Sequence, residues 1–216
     1  MPCRVLLVDD HAIVREGLRL VLAAEENIEV IGEGGDGREA LDLLEALHPD
    51  VIVMDIAMPN LNGLEATRQI TRRFPAVRVV ILTMHENQQY LLQIIKAGAT
   101  GCVLKRSMGR ELVTAIASAM RGESYFSPTI ATTIVEDYRR LLAHPEKIDE
   151  DPLTEREREI LQLVVEGQTN RQIADLLTLS IKTVQAHRAN IMEKLGAHDR
   201  ADLVKYAIRT GMISSE

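Results

Sequence analysis

Five polar residues stand at the ends of four short apolar runs. Asp9 and Asp10 follow "RVLLV", Asp55 follows "VIVM", Thr83 ends "RVVILT" and Lys105 follows "GCVL". Three carboxylates brought together repel, and some take up protons unless a cation sits among them. A hard divalent ion such as Mg2+ suits oxygen ligands and retains several waters. The lysine adds a fixed positive charge, and the threonine adds a hydrogen-bond donor. Such a set can receive a phosphoryl group on a carboxylate oxygen, with metal and lysine neutralising the charge that develops. A lone Asp at a strand end is ordinarily a turn or cap residue, and Asp9-Asp10 alone would signify no more. The joint pattern of all five groups is what favours chemistry.

That pattern requires elements that bring distant residues to one edge. Arg4–Asp9, Ile28–Glu33, Val51–Asp55, Arg78–Thr83 and Gly101–Lys105 are short and rich in Val, Ile or Leu, which predicts strands. Helical patterns fall at Ile13–Ala24, Arg38–Leu47, Leu64–Phe74, Gln88–Ala97 and Gly109–Arg121, with Asp36 as a cap for the second. Strand–helix repeats imply right-handed crossovers and a five-stranded parallel sheet covered on both faces. Strands buried on both sides should be continuously apolar, as "VIVM" and "VVIL" are. In such an open sheet, functional groups gather beyond the carboxyl ends of the strands. The expectation is a doubly wound, flavodoxin-like α/β domain over residues 1–122.

The 216 residues allow one large domain or two small ones, and 46% hydrophobic with 26% charged is ordinary for a globular protein. The spacing of Cys3 and Cys102 fits neither a zinc site nor a disulfide framework, so a reducing cytoplasm is the simplest compartment. No signal-peptide pattern opens the chain, and no apolar run approaches the roughly 18–20 residues of a membrane span. The net charge of -7 argues against nucleic acid until it is divided along the chain. Residues 1–122 carry 13 Lys and Arg against 16 Asp and Glu, whereas residues 168–209 carry 7 against 4. Local balance decides, because salt screens phosphate attraction over about 10 Å.

Beyond Gly122 the pattern changes. Thr129–Leu142 predicts a helix with apolar Ile130, Ile134, Leu141 and Leu142, and "AHPEKIDEDP" reads as a linker. Residues 123–152 are thus expected to connect the first domain to an all-helical one of four helices at 153–216. There Thr154 and Glu157 form a capping box, and a helix runs on to Glu166. Arg171–Leu177, Ile181–Leu195 and Arg200–Thr210 follow, with Ser180 capping the third helix and Gly167, Gly196 and Gly211 acting as stops. The pair around "TLS" is a helix-turn-helix pattern. Ile160, Leu161, Val164, Ile173, Ala174, Leu176, Leu177, Val184, Ile191 and Leu195 should form one small core, with Ile181 also inward. The opposite face of the third helix suits the major groove. Lys182 and Arg188 can reach phosphates, as can Ser180 and Thr183 at the helix start. Gln185 can read a base edge, while Ala186 and Ala189 allow close approach and can touch a thymine methyl. The plainer alternative is a solvated basic face on a protein-binding hairpin.

Residues 1–122 resemble the receiver domain of two-component response regulators, through "LLVDDH", "DIAMPNLNG", "ILTMH" and "GCVLK" in that order and spacing. The resemblance implies phosphorylation of Asp55 by a partner histidine kinase. It also implies Mg2+ (or Mn2+) held by Asp9, Asp10, Asp55 and the Ala57 carbonyl, with Thr83 as the switch hydroxyl and Lys105 pairing the phosphate. This chain departs from the family at two positions. Cys102 stands at the switch position where Tyr or Phe is common, and Arg106 stands where proline is common. The tail resembles the LuxR-type effector domain of the NarL/FixJ subfamily, through "LTEREREIL", "IADLL" and "SIKTVQAHRANIMEKLG". That implies base contacts at Gln185, Ala186 and Ala189, and binding to double-stranded promoter DNA. It also implies a homodimer, when activated, that meets through Leu203, Val204, Ala207 and Ile208 of the last helix. The plainer role for those four is to close the small core.

Two other function classes fit the sequence less well. Aspartate-nucleophile phosphatases carry a second acid two residues after the nucleophile, where this chain has Ala57, so no more than slow self-dephosphorylation is expected. A receiver serving only protein interaction would have no use for the Lys182–Arg188 surface.

Overall fold

A computed structural model of the chain describes residues 2–84, 88–143 and 152–213, with side chains at 88–90, 137 and 140–143 left aside. The expectations for Leu141, Leu142 and most of the linker therefore lie outside the described residues. The chain divides into two compact units, residues 1–147 and 148–216.

In the first unit, strands β1 (Cys3–Val8), β2 (Ile28–Gly34), β3 (Val51–Asp55), β4 (Arg78–Thr83) and β5 (Gly101–Leu104) alternate with helices. These are α1 (Ala12–Ala23), α2 (Gly37–Leu47), α3 (Gly63–Arg73), α4 (Gln88–Lys96) and α5 (Met108–Met120). The sheet is parallel, in the order β2-β1-β3-β4-β5-β6. The sixth strand corrects the expectation of five. β6 is Tyr125–Phe126, paired with Gly101 and Cys102 at the sheet edge. Two residues are too few to show a period of two. Gly101 admits the new strand, since a Cβ there would lie 2.7 Å from the Tyr125 carbonyl oxygen.

Side chains alternate cleanly across the sheet, as a strand requires. Leu6, Val8, Ile52, Met54, Val79, Ile81, Cys102 and Leu104 pack on the side of α2, α3 and α4. Val5, Leu7, Val51, Val53, Val80, Leu82 and Val103 pack on the side of α1 and α5. Both faces are dry, which is why the strands are continuously apolar. Helix α6 (Pro128–Ala143) belongs to this unit: Ile130 is fully buried in the α2–α4 side core, and Ile134 packs against it. Ser127 is also buried. It accepts a hydrogen bond from the Leu104 N–H and donates to the Glu111 carboxylate, tying α6 to β5 and α5.

The second unit consists of α7 (Glu155–Val165), α8 (Asn170–Leu176), α9 (Ile181–Leu195) and α10 (Arg200–Arg209). Capping fixes each helix start. Thr154–Glu157 and Thr169–Gln172 are reciprocal boxes, while Ser180 and Asp199 accept from the N–H groups of Thr183 and Asp202. The turn between α8 and α9 passes through Thr178 in the left-handed region, at φ 54°. The core centres on Ile160, Leu161, Leu163, Ile173, Val184 and Ile191. Two expected core members are instead exposed, Leu176 at 42% and Ile181 at 46%. Both adjoin the short α8–α9 turn, Leu176 as the last residue of one helix and Ile181 as the first of the other.

Candidate functional site

Strand register brings the five polar groups together. Val8 pairs with Met54, so Asp9 and Asp55 stand side by side one step further on. Asp55 pairs with Leu82, placing Thr83 one step beyond, and Thr83 pairs with Leu104, placing Lys105 beyond that. Asp9 and Thr83 are buried, Asp55 is 5% exposed, and Asp10 is exposed. Lys105 opens the 3-10 turn Lys105–Ser107, and Ala57 lies half-buried in the bend after β3.

The Lys105 ammonium bridges two carboxylates, lying 2.7 Å from Asp9 Oδ2 and 3.0 Å from Asp55 Oδ2. The other Asp9 oxygen accepts the His11 backbone N–H at 2.9 Å. The Arg15 guanidinium donates to the Asp9 carbonyl at 2.6 Å, fixing the end of β1. His11 Nδ1 lies 2.7 Å from Asp10 Oδ1. One potential ligand atom from each of Asp9, Asp10, His11 and Asp55 falls within 4.8 Å of the others.

Burial pushes the Asp55 carboxyl up to about 6, and the Asp9 charge adds to the rise against the opposing pull of Lys105 and the Ile56 N–H. Burial works against the Lys105 charge, but Asp55 and Asp9 together carry its pKa above the ordinary lysine value. Asp55 is thus a desolvated carboxylate beside one fixed cation. A further positive charge would favour its ionised form.

Two residues that shape this cleft were not singled out from the sequence. A Cβ on Gly63 would lie 1.8 Å from the Asp55 carbonyl oxygen, so only glycine lets α3 start so close to β3. The Gly63 N–H reaches the Ile56 carbonyl at 2.8 Å. His11 is the other, and its place in "DDH" is the only sequence signal for it. Cys102 is fully buried among the side chains facing α4, and burial pushes its thiol up to about 12. In this structure it packs as a core residue.

On α9, Lys182, Gln185, Ala186 and Ala189 are exposed together, while Val184 and Ile191 face the core. Arg188 is half-buried, with Nη1 2.6 Å from Asn170 Oδ1, so it braces α9 against α8. Ser180 Oγ accepts the Thr183 N–H at 3.0 Å and lies 2.8 Å from the Thr183 hydroxyl. These two groups are engaged at the helix start. Of the predicted contact residues on α9, the exposed ones are one basic and one amide side chain beside two alanines, on a helix packed against the core that α7 and α8 share.

Residues 5–117 match the family described as response regulator receiver domain, and residues 151–207 match bacterial regulatory proteins, luxR family. The chain belongs to the response regulators with a LuxR-type DNA-binding domain. It is 36% identical to the transcriptional regulatory protein DegU of Brevibacillus brevis, over 97% of this chain and 94% of DegU. With the transcriptional regulatory protein LiaR of Bacillus subtilis the identity is 39%, over 98% of this chain and 99% of LiaR. The structure of the RcsB response regulator of Salmonella typhimurium matches with a TM-score of 0.64 at 28% identity, over 97% and 98% of the two chains. RcsB has also been solved in complex with DNA. This response regulator therefore joins a receiver to a DNA-binding module and acts in transcription regulation.

In the regulator's last helix, the four expected contact residues divide. Leu203 and Ala207 are buried in the small core, at 4% and 0% exposure. They are spent on closing it, as the i, i+4 spacing of an inward helix face dictates. Val204 and Ile208 stay half-exposed. No helix of the described residues is long and apolar enough to cross a membrane.

Proposed function

We propose that Asp55 accepts a phosphoryl group from a sensor histidine kinase and that this controls pairing and promoter binding through α9. The observation that supports this best is the single ammonium of Lys105 shared between Asp9 and Asp55 at 2.7 and 3.0 Å, beside buried Thr83. A carboxylate oxygen of Asp55 attacks phosphorus, the O–P bond forms, and the P–N bond to the kinase imidazole breaks as that nitrogen leaves. Lys105 holds the charge gathering on the phosphoryl oxygens, and Thr83 donates its hydroxyl to one of them.

Asp9, Asp10, Asp55 and the Ala57 carbonyl are proposed to hold Mg2+ or Mn2+. The donor set is hard oxygen, and one lysine leaves the buried carboxylates short of positive charge, so the residues fit such an ion. When bound, the ion supplies a Lewis acid that neutralises phosphoryl oxygens. With Ala57 two residues after Asp55, no second acid stands ready to activate water, so the regulator is proposed not to be an enzyme beyond slow loss of its own phosphoryl group. Residues 1–122 carry the phosphoacceptor chemistry, β6 and α6 complete the same unit, the stretch after α6 joins it to the next, and residues 153–216 bind double-stranded DNA as a cytoplasmic homodimer.

In the groove, Lys182 reaches phosphate and Gln185 reads a base edge, with Ala186 and Ala189 allowing close approach. Ser180 and Thr183 set the helix start against the backbone, and Arg188 orients α9. Val204 and Ile208 supply the pairing contact, for which Leu203 and Ala207 form the floor. Acetyl phosphate with Mg2+ should label the wild type and leave Asp55→Asn unlabelled, and the labelled chain should shift promoter fragments at lower concentration. Equal labelling of the variant would remove Asp55 from its role. A labelled chain that shifts no fragment at low salt would remove DNA as the output.

A further inference from the structure

We propose that His11 is a ligand in the divalent-ion site and biases the site from Mg2+ towards first-row transition ions. The inference rests on reading the acidic cleft as such a site. Its observations concern His11 itself. His11 occupies the N-cap position of α1, where Ser, Thr, Asp and Asn are preferred because their side-chain oxygens accept backbone N–H groups. Its side chain makes no capping bond. The ring turns instead into the acidic cluster, with Nδ1 2.7 Å from Asp10 Oδ1 and 3.2 Å from Asp9 Oδ1. A residue poorly suited to its local position is thus spent on the carboxylates.

The spacings suit shared coordination. Neighbouring ligands around an octahedral ion with bonds of about 2.1 Å lie about 3 Å apart. The Nδ1-to-oxygen distances of 2.7 and 3.2 Å bracket that edge. Asp9 divides its two oxygens, Oδ2 towards Lys105 and Oδ1 towards His11. The His11 side comprises three carboxylates and one imidazole whose potential ligand atoms lie within 4.8 Å of one another. The His11 side chain is 57% exposed, so the ring is free to adjust as an ion enters from solvent. Carboxylate and water ligands suit Mg2+, whereas imidazole suits the later first-row ions. Adding one nitrogen donor to an oxygen set therefore raises affinity for Co2+ or Zn2+ far more than for Mg2+.

The rival is that His11 merely shields the acidic pair and leaves when a metal binds. The two readings differ in sign. If His11 is a ligand, His11→Ala weakens Co2+ binding on the order of tenfold, the low end of the effect of losing a metal-site partner, and leaves Mg2+ within about twofold. If His11 is only a shield, His11→Ala leaves the Co2+-to-Mg2+ affinity ratio unchanged or strengthens both ions alike. The experiment titrates full-length wild type, His11→Ala and Asp9→Asn with Co2+, followed by visible absorption, and displaces it with Mg2+. The proton spectrum of the Co2+ form adds a direct signature, a hyperfine-shifted, exchangeable imidazole N–H present in wild type and lost in His11→Ala. An unchanged ratio, or persistence of that resonance in His11→Ala, overturns the ligand role alone. Failure of wild type to bind either ion, or wild-type binding by Asp9→Asn, overturns the site reading instead. The far-UV circular dichroism of the metal-free variant should match wild type, since the ring makes no capping bond on which α1 depends.

Discussion

Asp55 carries an energetic burden that its proposed role explains. Its carboxyl is raised by burial from 3.8 to about 6. Between those values the folded chain holds a proton that the unfolded chain has lost, so stability falls as pH rises through the window. Above about pH 6 the full penalty is present, roughly 2–3 kcal/mol at about 1.4 kcal/mol per unit. Asp55→Asn should therefore stabilise the metal-free receiver at pH 7.5 and remove the decline between pH 4 and 6. Urea unfolding of wild type and variant across that range checks it. A difference between the two that does not vary with pH would mean Asp55 is not desolvated as placed. Gly63 is the second residue at which the site constrains the chain. A Cβ there would meet the Asp55 carbonyl at 1.8 Å, far inside contact distance, and that neighbour is backbone. Gly63→Ala should destabilise the receiver by about 1–3 kcal/mol, the usual range for overpacking, and lower acetyl phosphate labelling in step with the displaced loop. Wild-type stability with wild-type labelling would show that α3 can back away without effect.

At the scale of elements, strands announced themselves and helix faces did so less completely. Residues such as Ile52 and Met54 on one face and Val51 and Val53 on the other are all apolar, so a doubly covered strand with a polar terminus was legible at Asp55, Thr83 and Lys105. Register then converts four separate strand ends into one cleft without further sequence information. β6 was not legible, because Tyr125–Phe126 has no period to read, and its partner Gly101 matters only through its missing Cβ. His11 offered only its place in "DDH", since its ring reaches carboxylates on its own backbone neighbours rather than following helix periodicity. On α10, four apolar residues at helix spacing could have faced inward or outward, and only packing against α7 separates Leu203 and Ala207 from Val204 and Ile208. On α9, Ser180 serves both as the structural cap and as a proposed phosphate neighbour, and substitution can separate these roles. Ser180→Ala should cost about 1 kcal/mol of stability in this unit. Ser180→Asp keeps a cap and adds favourable charge at the helix start, but opposes a DNA phosphate. Near-wild-type unfolding with weakened DNA binding is the expected pair of results for the aspartate variant. Undiminished binding would place Ser180 away from the DNA backbone.

Taken as a whole, the molecule carries a net charge of -7, yet residues 168–209 hold a local positive surplus that includes exposed Lys182. Lys182→Ala should weaken binding to all DNA sequences alike and reduce the salt slope by about one, whereas Gln185→Ala should weaken the preferred sequence alone and leave the slope unchanged. Input and output reside in different compact units. If phosphorylation governs DNA binding, the two sites share a coupling free energy, and coupling is reciprocal at equilibrium. Beryllofluoride, an acyl phosphate mimic that binds reversibly, makes this measurable without turnover. A selected high-affinity DNA fragment should bind more tightly when beryllofluoride is present, by typically 5–150-fold for a coupling of 1–3 kcal/mol. The same fragment must then tighten beryllofluoride binding by the same factor, measured on the same full-length chain at the same salt. Asp55→Asn should abolish both effects while leaving basal DNA binding in place. Equal, non-unit factors would show that the cleft at the strand ends and the exposed face of α9 bias one conformational equilibrium. A factor of one in both directions would mean that the two units bind their ligands independently, and the proposed route from Asp55 to DNA would fail even if each site works alone.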